Sequence, residues 1–172
     1  KYAHEIGNMQ KTVDSYAKKY DTKIPIAVAG GIDTPQKVKH VLNLGVQAVQ
    51  VGTRFVTTEE CDADIRYKQA YIKACKEDIV IVKSPVGMPG RAIKNTMLES
   101  VQRGENIPPR KCYHCLAKCD PGKIPYCITK ALIEAAKGNT EEGLLFCGAN
   151  AYRAEKIETV KEVIANLMQE CV

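Results

Sequence analysis

The chain has 172 residues, which suffices for one ordinary domain or for part of a larger one. Its hydrophobic content of 45% and charged content of 26% are typical of a soluble globular protein, and no run is apolar enough to span a bilayer. The net charge of +5 comes from cations scattered among Asp and Glu, so the concentrated basic face that nucleic-acid binding requires is missing. We therefore expect neither a nucleic acid nor a membrane as a partner.

The first predicted elements are a helix and a strand. One face of a helix over residues 10–20 would be formed by Val13, Tyr16, Ala17 and Tyr20. Residues 24–29 are apolar at successive positions, which predicts a parallel strand that is buried on both faces. This strand ends at Gly30 and Gly31.

A second helix and a second strand follow directly. Thr34 is a suitable N-cap and Pro35 suits the first helical position, while Gly45 can end the helix in a left-handed conformation. Residues 48–51 form a second predicted strand, which stops at Gly52 and Thr53. The order strand, Gly turn, helix, strand, Gly turn predicts a βαβ unit with two parallel strands.

The rest of the chain predicts a helix over residues 62–75, a short strand over 79–82 and, because Pro and Gly recur there, an irregular segment over 84–110. Two more helices are expected at residues 128–137 and 155–168. The inward face of the last helix would be formed by Ile157, Val160, Ile164 and Leu167.

Two or three parallel strands cannot close a barrel, and a complete (β/α) barrel takes roughly 250 residues. The chain is then either a small open α/β domain or the second half of a barrel. We favour the second: an α/β fold that is the C-terminal part of a (β/α)8 TIM barrel with a Cys-rich helical extension. Residues 1–83 would form the half-barrel and residues 84–172 a wrapping segment, the Cys-rich motif and terminal helices.

The two Gly turns predict a phosphate site. They end consecutive parallel strands about 20 residues apart, and the loops after the last two strands of such barrels often hold a phosphate. Glycine lets backbone N–H groups approach phosphate oxygens, and a hydroxyl at Thr53 adds a donor. Each Gly pair alone would be read as a tight turn; together they favour an anion site at Gly30, Gly31, Gly52 and Thr53.

These turns also carry a family resemblance. Residues 24–32, 49–55 and 58–61 resemble the nitronate monooxygenases, formerly called 2-nitropropane dioxygenases, and residues 83–95 resemble the segment that follows barrel closure in that family. The resemblance covers roughly residues 20–100. The Gly-Gly-Ile and Gly-Thr-Arg turns also occur in related flavin barrels.

The resemblance implies an FMN whose phosphate lies on the backbone of Gly30, Gly31, Gly52 and Thr53. It also implies the oxidation of alkyl nitronates by flavin and dioxygen, with a small-molecule substrate. The cofactor would carry the redox chemistry and the protein would supply position and electrostatics. Related flavin-dependent enoyl-acyl-carrier-protein reductases share these turns, so enoyl reduction is the alternative.

The family's catalytic His lies in a Gly-Gly-His-x-Gly stretch before the first of these strands, and His4 stands at close to that spacing. Tyr2 and Ala3 replace the two glycines, and Gly7 comes one residue late. The resemblance implies that His4 is a base or a hydrogen-bond donor to the substrate, whereas its place near the start of the chain suits an exposed, inert side chain.

Four of the eight cysteines lie within 16 residues, in the pattern C-x2-C-x3-C-x7-C. Four thiolates can converge on one soft metal centre, either an iron–sulfur cluster, which we place first, or tetrahedral zinc. Unliganded thiols or disulfides are the plain alternative. The predicted ligands are Cys112, Cys115, Cys119 and Cys127.

A third function, from a different class, is a metal-stapled module that keeps the phosphate site without chemistry. Nothing in the sequence indicates export, so the thiols predict a reducing, cytoplasmic setting. A half-barrel also predicts a partner, namely the N-terminal half of the barrel or a second chain, and a homo-oligomer would satisfy the same need.

Overall fold

A computed structural model describes residues 2–112, 114–117 and 119–171. The chain forms two compact units: the first holds the residues up to Phe55 together with those from Thr159 onward, and the second is Val56–Glu158. This division concerns compactness alone; the predicted functional boundary between residues 83 and 84 stays a prediction.

The first unit contains the predicted βαβ arrangement. In chain order its helices and strands are α1 (Tyr2–Tyr20), β1 (Ala27–Ala29), α2 (Pro35–Leu42), β2 (Ala48–Gln50), the short α3 (Thr53–Val56) at its border, and α7 (Val160–Met168). Strands β1 and β2 pair in parallel, with Ala27 opposite Ala48 and Ala29 opposite Gln50. The predicted parallel pair is confirmed.

Local sequence sets the bounds of helix α2. The Thr34 side chain accepts a hydrogen bond from the Lys37 N–H at 3.3 Å, and Pro35 occupies the first position, where its missing N–H costs nothing. Beyond the helix Gly45 has φ +90°, a conformation that a side chain disfavours. The predicted start of this helix and the left-handed Gly45 are confirmed.

Helices α2 and α7 pack in the core of the first unit, where Val38 and Val163 are buried with Val28 of strand β1. Ala27 and Ala29, on the opposite face of β1, are exposed. The prediction of a strand buried on both faces is therefore wrong for this chain, because the described residues form apolar cover on one face only.

Helix α1 begins at Tyr2, earlier than the predicted residue 10, and the inward face predicted for the last helix needs correction. Tyr16 and Tyr20 of α1 are 52% and 61% exposed, and Ile6, nearer the start of the helix, is buried instead. In α7 Ile164 is 49% exposed while Val163 is fully buried. The last helix begins at Val160, later than predicted, because Thr159 and Glu162 form a capping box that fixes its start.

The second unit contains elements that the sequence did not predict. Its helices and strands are α4 (Ile65–Lys73), β3 (Ile79–Lys83), β4 (Pro89–Ile93), α5 (Thr96–Gln102) and α6 (Ile128–Ala136), with short 3-10 turns at Lys76–Asp78 and Ala151–Arg153. The prediction that residues 84–110 are irregular is wrong, since they contain β4 and α5.

Strands β3 and β4 form an antiparallel hairpin in which Ile79 pairs with Ile93 and Lys83 with Pro89. Pro89 is tolerated because it lies at the start of its strand. Gly90 is required by packing, since a Cβ there would overlap the Phe146 ring. The strand predicted at residues 79–82 exists, but its partner is this neighbouring segment rather than a barrel strand.

Asn95 organises the turn between β4 and α5. Its side-chain Nδ2 donates to the carbonyl oxygens of Thr140 at 2.6 Å and Gly143 at 2.7 Å, and its Oδ1 accepts from the Leu98 N–H at 3.0 Å. The side chain therefore caps α5 and anchors a distant loop. Around it the core of the second unit is formed by Tyr71, Ala92, Leu98, Tyr126, Ala135, Leu144 and Leu145.

The first and last segments of the second unit run side by side. The Glu158 N–H donates to the Thr57 carbonyl at 3.1 Å, and the Glu59 N–H donates to the Glu158 carbonyl at 2.9 Å. These segments form a short parallel bridge between Thr58 and Glu158. None of the helices within the described ranges combines the length and the apolarity needed to cross a membrane.

Candidate functional site

The two Gly turns lie at one edge of the parallel pair. Strands β1 and β2 run in the same direction and in register, so Gly30 and Gly31 leave β1 at the same edge at which Gly52 follows β2. Thr53 begins the short helix α3. The predicted juxtaposition of the turns is confirmed, while their role in binding an anion stays a prediction.

The space in front of these glycines is open. A Cβ built at Gly30 or at Gly52 would meet no atom within 4 Å. Gly30 and Gly31 have φ of +97° and +70°, which explains why glycine occurs there. Gly52 is not among the positive-φ residues, so neither conformation nor packing within the described chain requires a glycine. Close approach of a ligand to its backbone would require one.

Arg54 braces the two turns against each other. Its Nη1 donates to the Asp33 carbonyl oxygen at 3.3 Å, next to the first turn, and contacts Asn166 Oδ1 of helix α7 at 3.4 Å. Lys37 Nζ donates to the Gly31 carbonyl at 3.0 Å and pairs with the Asp33 carboxylate. The turns are thus fixed before any ligand binds, with two cations beside them.

His4 lies in the first turn of helix α1 rather than in a loop. Its side chain is 77% exposed, and its Nδ1 lies 3.5 Å from Asn8 Nδ2 and 3.9 Å from Glu5 Oε1. Tyr2 and Ala3 stand where the resemblance led us to expect glycines, and both residues are compatible with a helix. The catalytic role of His4 stays a prediction.

The four clustered cysteines line one cavity of the second unit, with a volume of about 540 Å³. Partial burial, and after it the neighbouring thiols of Cys112, Cys127 and Cys115, raise the pKa of Cys119 above its usual value. No group of three or more His, Cys, Asp or Glu in the described part of the chain is arranged to hold a metal ion. The structure thus brings the predicted residues together without a formed coordination site.

Two tyrosines of helix α4 contact each other, and the sequence predicted no functional role for them. The Tyr71 hydroxyl lies in the core, donates to the Phe146 carbonyl and lies 3.2 Å from the Tyr67 hydroxyl. Burial raises the pKa of the neighbouring Cys147 to about 11. The one sequence signal for this pair is that Tyr67 and Tyr71 are four residues apart, which places them on the same face of helix α4.

Tyr126 borders a second cavity, of about 660 Å³, between the hairpin and the loop that follows α5. The side chain is 2% exposed, and its hydroxyl has no hydrogen-bond partner among the described residues. The sequence carried no signal for this cavity because its walls come from segments far apart in the chain.

A parallel βαβ unit is the repeating element of a (β/α) barrel. The sequence model described as nitronate monooxygenase matches residues 3–170. The chain belongs to the nitronate monooxygenase family, whose members are flavin-dependent oxidoreductases. The predicted family resemblance is confirmed.

Curated relatives match part of their length. A probable nitronate monooxygenase of Staphylococcus haemolyticus is 37% identical over 87 residues, which are 50% of this chain and 24% of that protein. A probable nitronate monooxygenase of Bacillus subtilis is 26% identical over 149 residues, or 86% of this chain and 40% of that protein. The chain therefore spans less than half the length of these relatives.

Solved structures give the same picture. FabK from Thermotoga maritima matches with a TM-score of 0.67 and 27% identity, over 87% of this chain and 44% of that one. The enoyl reductase domain of MlnA from Bacillus amyloliquefaciens matches in fold, with a TM-score of 0.70 and 13% identity, over 99% of this chain and 53% of that one. The predicted fold class, α/β and part of a (β/α)8 barrel, is confirmed.

Proposed function

We propose that this chain is part of an FMN-dependent oxidoreductase that oxidises alkyl nitronates with dioxygen. One observation supports the proposal. In this chain of the nitronate monooxygenase family, Gly52 follows a strand and faces open space. Neither its backbone conformation nor its packing requires a glycine at that position. A phosphate held close to the backbone supplies that reason.

The binding site follows from the two turns. The backbone N–H groups of Gly30, Gly31 and Gly52, with the Thr53 N–H and hydroxyl, would hold the phosphate. Arg54 keeps the turns at a fixed separation through its contact with Asp33, so little ordering is needed on binding. Bound FMN would supply the exchange of electrons with substrate and dioxygen.

His4 is the proposed proton-handling or hydrogen-bonding group toward the substrate. Its spacing, close to that of the family's catalytic His, supports this role, and the exposed ring leaves the imidazole accessible. In the His4→Asn variant, kcat with a nitronate should fall while FMN content stays at the wild-type level. An unchanged kcat and pH profile would remove His4 from the site.

We infer that the partner of this chain is the N-terminal half of the barrel. The chain spans 24% and 40% of the two relatives described above. The exposed face of the sheet, formed by Ala27, Ala29, Ala48 and Gln50, is the side that a completed barrel would enclose. Each strand also has one edge without a ladder partner among the described residues.

Light scattering tests this partner. The chain by itself should associate, and co-expression with an N-terminal half from a family relative should give a 1:1 complex that binds FMN. A symmetric dimer that does not bind the added half would identify a second copy of this chain as the partner instead. A stable monomer that ignores it would contradict the proposal.

Enoyl-thioester reduction is the second candidate, since the fold of the MlnA enoyl reductase domain extends along 99% of the chain. Two assays on the FMN-loaded protein separate the candidates: oxygen consumption with an alkyl nitronate, and nicotinamide-dependent reduction of an enoyl thioester. We expect the first to be the faster. The reverse order would assign the second function, and a colourless protein that retains no FMN would exclude both.

A further inference from the structure

The thiol-lined cavity of the second unit has no part in the flavin chemistry proposed above. We propose that Cys112, Cys115, Cys119 and Cys127 bind one soft, thiophilic metal centre and that the segment carrying them closes around it. The centre would be either a tetrathiolate divalent cation or an iron–sulfur cluster, which share the same four-sulfur ligand chemistry.

The first pair of ligands already has the local geometry of a metal-binding turn. His114, between Cys112 and Cys115, has φ +52°, a left-handed conformation that a non-glycine residue rarely adopts. The conformation turns the chain so that the His114 N–H points to Cys112 Sγ at 3.4 Å.

The second pair of ligands, Cys119 and Cys127, is separated by a reverse turn, and Cys127 lies at the start of helix α6. Asp120 Oδ1 accepts from the Gly122 N–H at 3.0 Å, and this turn separates Cys119 from Cys127. Cys127 is the N-cap of α6 but makes no capping hydrogen bond with its side chain, at a position where Ser, Thr, Asp or Asn would ordinarily do so.

The loop is also tied to this helix start. Cys115 Sγ lies 3.1 Å from the hydroxyl of Thr129, in the first turn of α6. Cys115 is thus held next to the helix start that carries Cys127.

The charge around the cavity suits an anionic centre. A divalent cation with four thiolates carries two negative charges, and a buried negative charge needs cationic neighbours. One carboxylate, that of Glu134, lines the cavity. The cationic side chains that line it are Arg110, Lys111, Lys130 and Lys137.

The sulfur atoms must move inward to bind. All four are free thiols around a cavity of about 540 Å³, and no three potential ligands within the described ranges converge on one ion position. Binding and ordering of the segment would therefore occur together, as in other small thiolate sites. Metal binding should accordingly protect these thiols and stabilise the second unit against unfolding.

The test uses the whole chain, purified anaerobically, reduced and stripped with a chelator. One sample receives Cd²⁺, which reports thiolate ligation by ultraviolet charge-transfer absorbance, and another receives ferrous iron with sulfide. We expect one equivalent of Cd²⁺ or one cluster per chain. The Cys119→Ser variant should bind more than about 100-fold more weakly, since losing outer-shell support alone costs up to that much. The matched control is Cys75→Ser, an exposed thiol outside the cavity, which should bind as wild type does.

A second test, alkylation with iodoacetamide followed by mass spectrometry, uses the wild-type chain. Metal should protect the four cavity cysteines and leave Cys75 reactive. Cadmium binding without cluster assembly would identify a zinc-type centre, and visible cluster absorbance would identify an iron–sulfur centre. Equal protection of Cys75 and the cavity thiols, or failure to retain either metal, would overturn the proposal.

Discussion

Replacing Gly52 with Ala separates the ligand site from protein stability. A Cβ at this position meets no atom within 4 Å, and the residue lies outside the left-handed region. An alanine is therefore compatible with the fold and should leave the free energy of unfolding unchanged or raise it by about 0.4–1 kcal/mol, the usual gain from restricting the unfolded chain.

The same methyl group should weaken FMN binding. It would occupy the space that a phosphate oxygen needs in order to reach the backbone N–H groups. A hydrogen bond to a charged group contributes about 1.5–3 kcal/mol, and each 1.4 kcal/mol is a factor of ten in affinity. Loss of one such bond predicts FMN affinity lower by about 10- to 100-fold.

The assay is a fluorescence titration of the apo-protein, in the completed barrel, with FMN, paired with a urea unfolding curve. Gly7→Ala is the matched control, because Gly7 also faces open space but lies in helix α1 and belongs to neither Gly turn. It should leave FMN affinity unchanged. If Gly52→Ala binds FMN within twofold of wild type, the phosphate does not lie on this turn; if the variant unfolds, glycine has a structural role that the contacts do not account for.

Three further predictions concern the second unit. Asn95→Ala removes the cap of α5 and leaves the buried Gly143 carbonyl and the part-buried Thr140 carbonyl without their donor. Urea unfolding should therefore reveal a loss of about 2–4 kcal/mol, and a loss below 1 kcal/mol would contradict this account. Gly143→Ala places a Cβ 2.5 Å from the backbone of Ala135. Overpacking of this kind should lower the melting temperature by the equivalent of about 1–3 kcal/mol of stability. A melting temperature equal to that of wild type would refute this prediction. Burial raises the pKa of Cys147 from 9.0 to about 11, so at pH 8 its thiolate fraction is about 100-fold lower than that of an unperturbed thiol. Iodoacetamide should therefore modify Cys147 far more slowly than the exposed Cys75, and equal rates would show that the thiol is not held in its buried environment.

The elements that the sequence predicted correctly are those that depend on residues close together in the chain. Thr34, Pro35 and Gly45 act within a few residues of where they stand, and the helix and turn they predict are present. Parallel pairing of β1 with β2 also follows from local order, because a strand–helix–strand unit of this length has few other arrangements.

The errors arose where distant segments decide the outcome. Proline and glycine between residues 84 and 110 predicted irregular chain, but Gly90 is there to admit the Phe146 ring, 56 positions further on. Ile164 looked buried by periodicity, but Val163 is the residue that meets α2 in the core. The grouping of the four cysteines follows from their spacing, whereas the cavity they line and its cationic side chains could be found only from the fold.

The short parallel bridge between Thr58 and Glu158 has a consequence for the order of folding. Helix α7 reaches the core of the first unit only after an insertion of about 100 residues, and closing a flexible loop of that length costs roughly 4 kcal/mol of chain entropy. Once the second unit has folded, its two ends are held side by side by the hydrogen bonds that join Thr57, Glu158 and Glu59, so the loop becomes a few residues long. The insertion should therefore fold first, so that the packing of α7 in the core of the first unit is a late step with a small entropic cost.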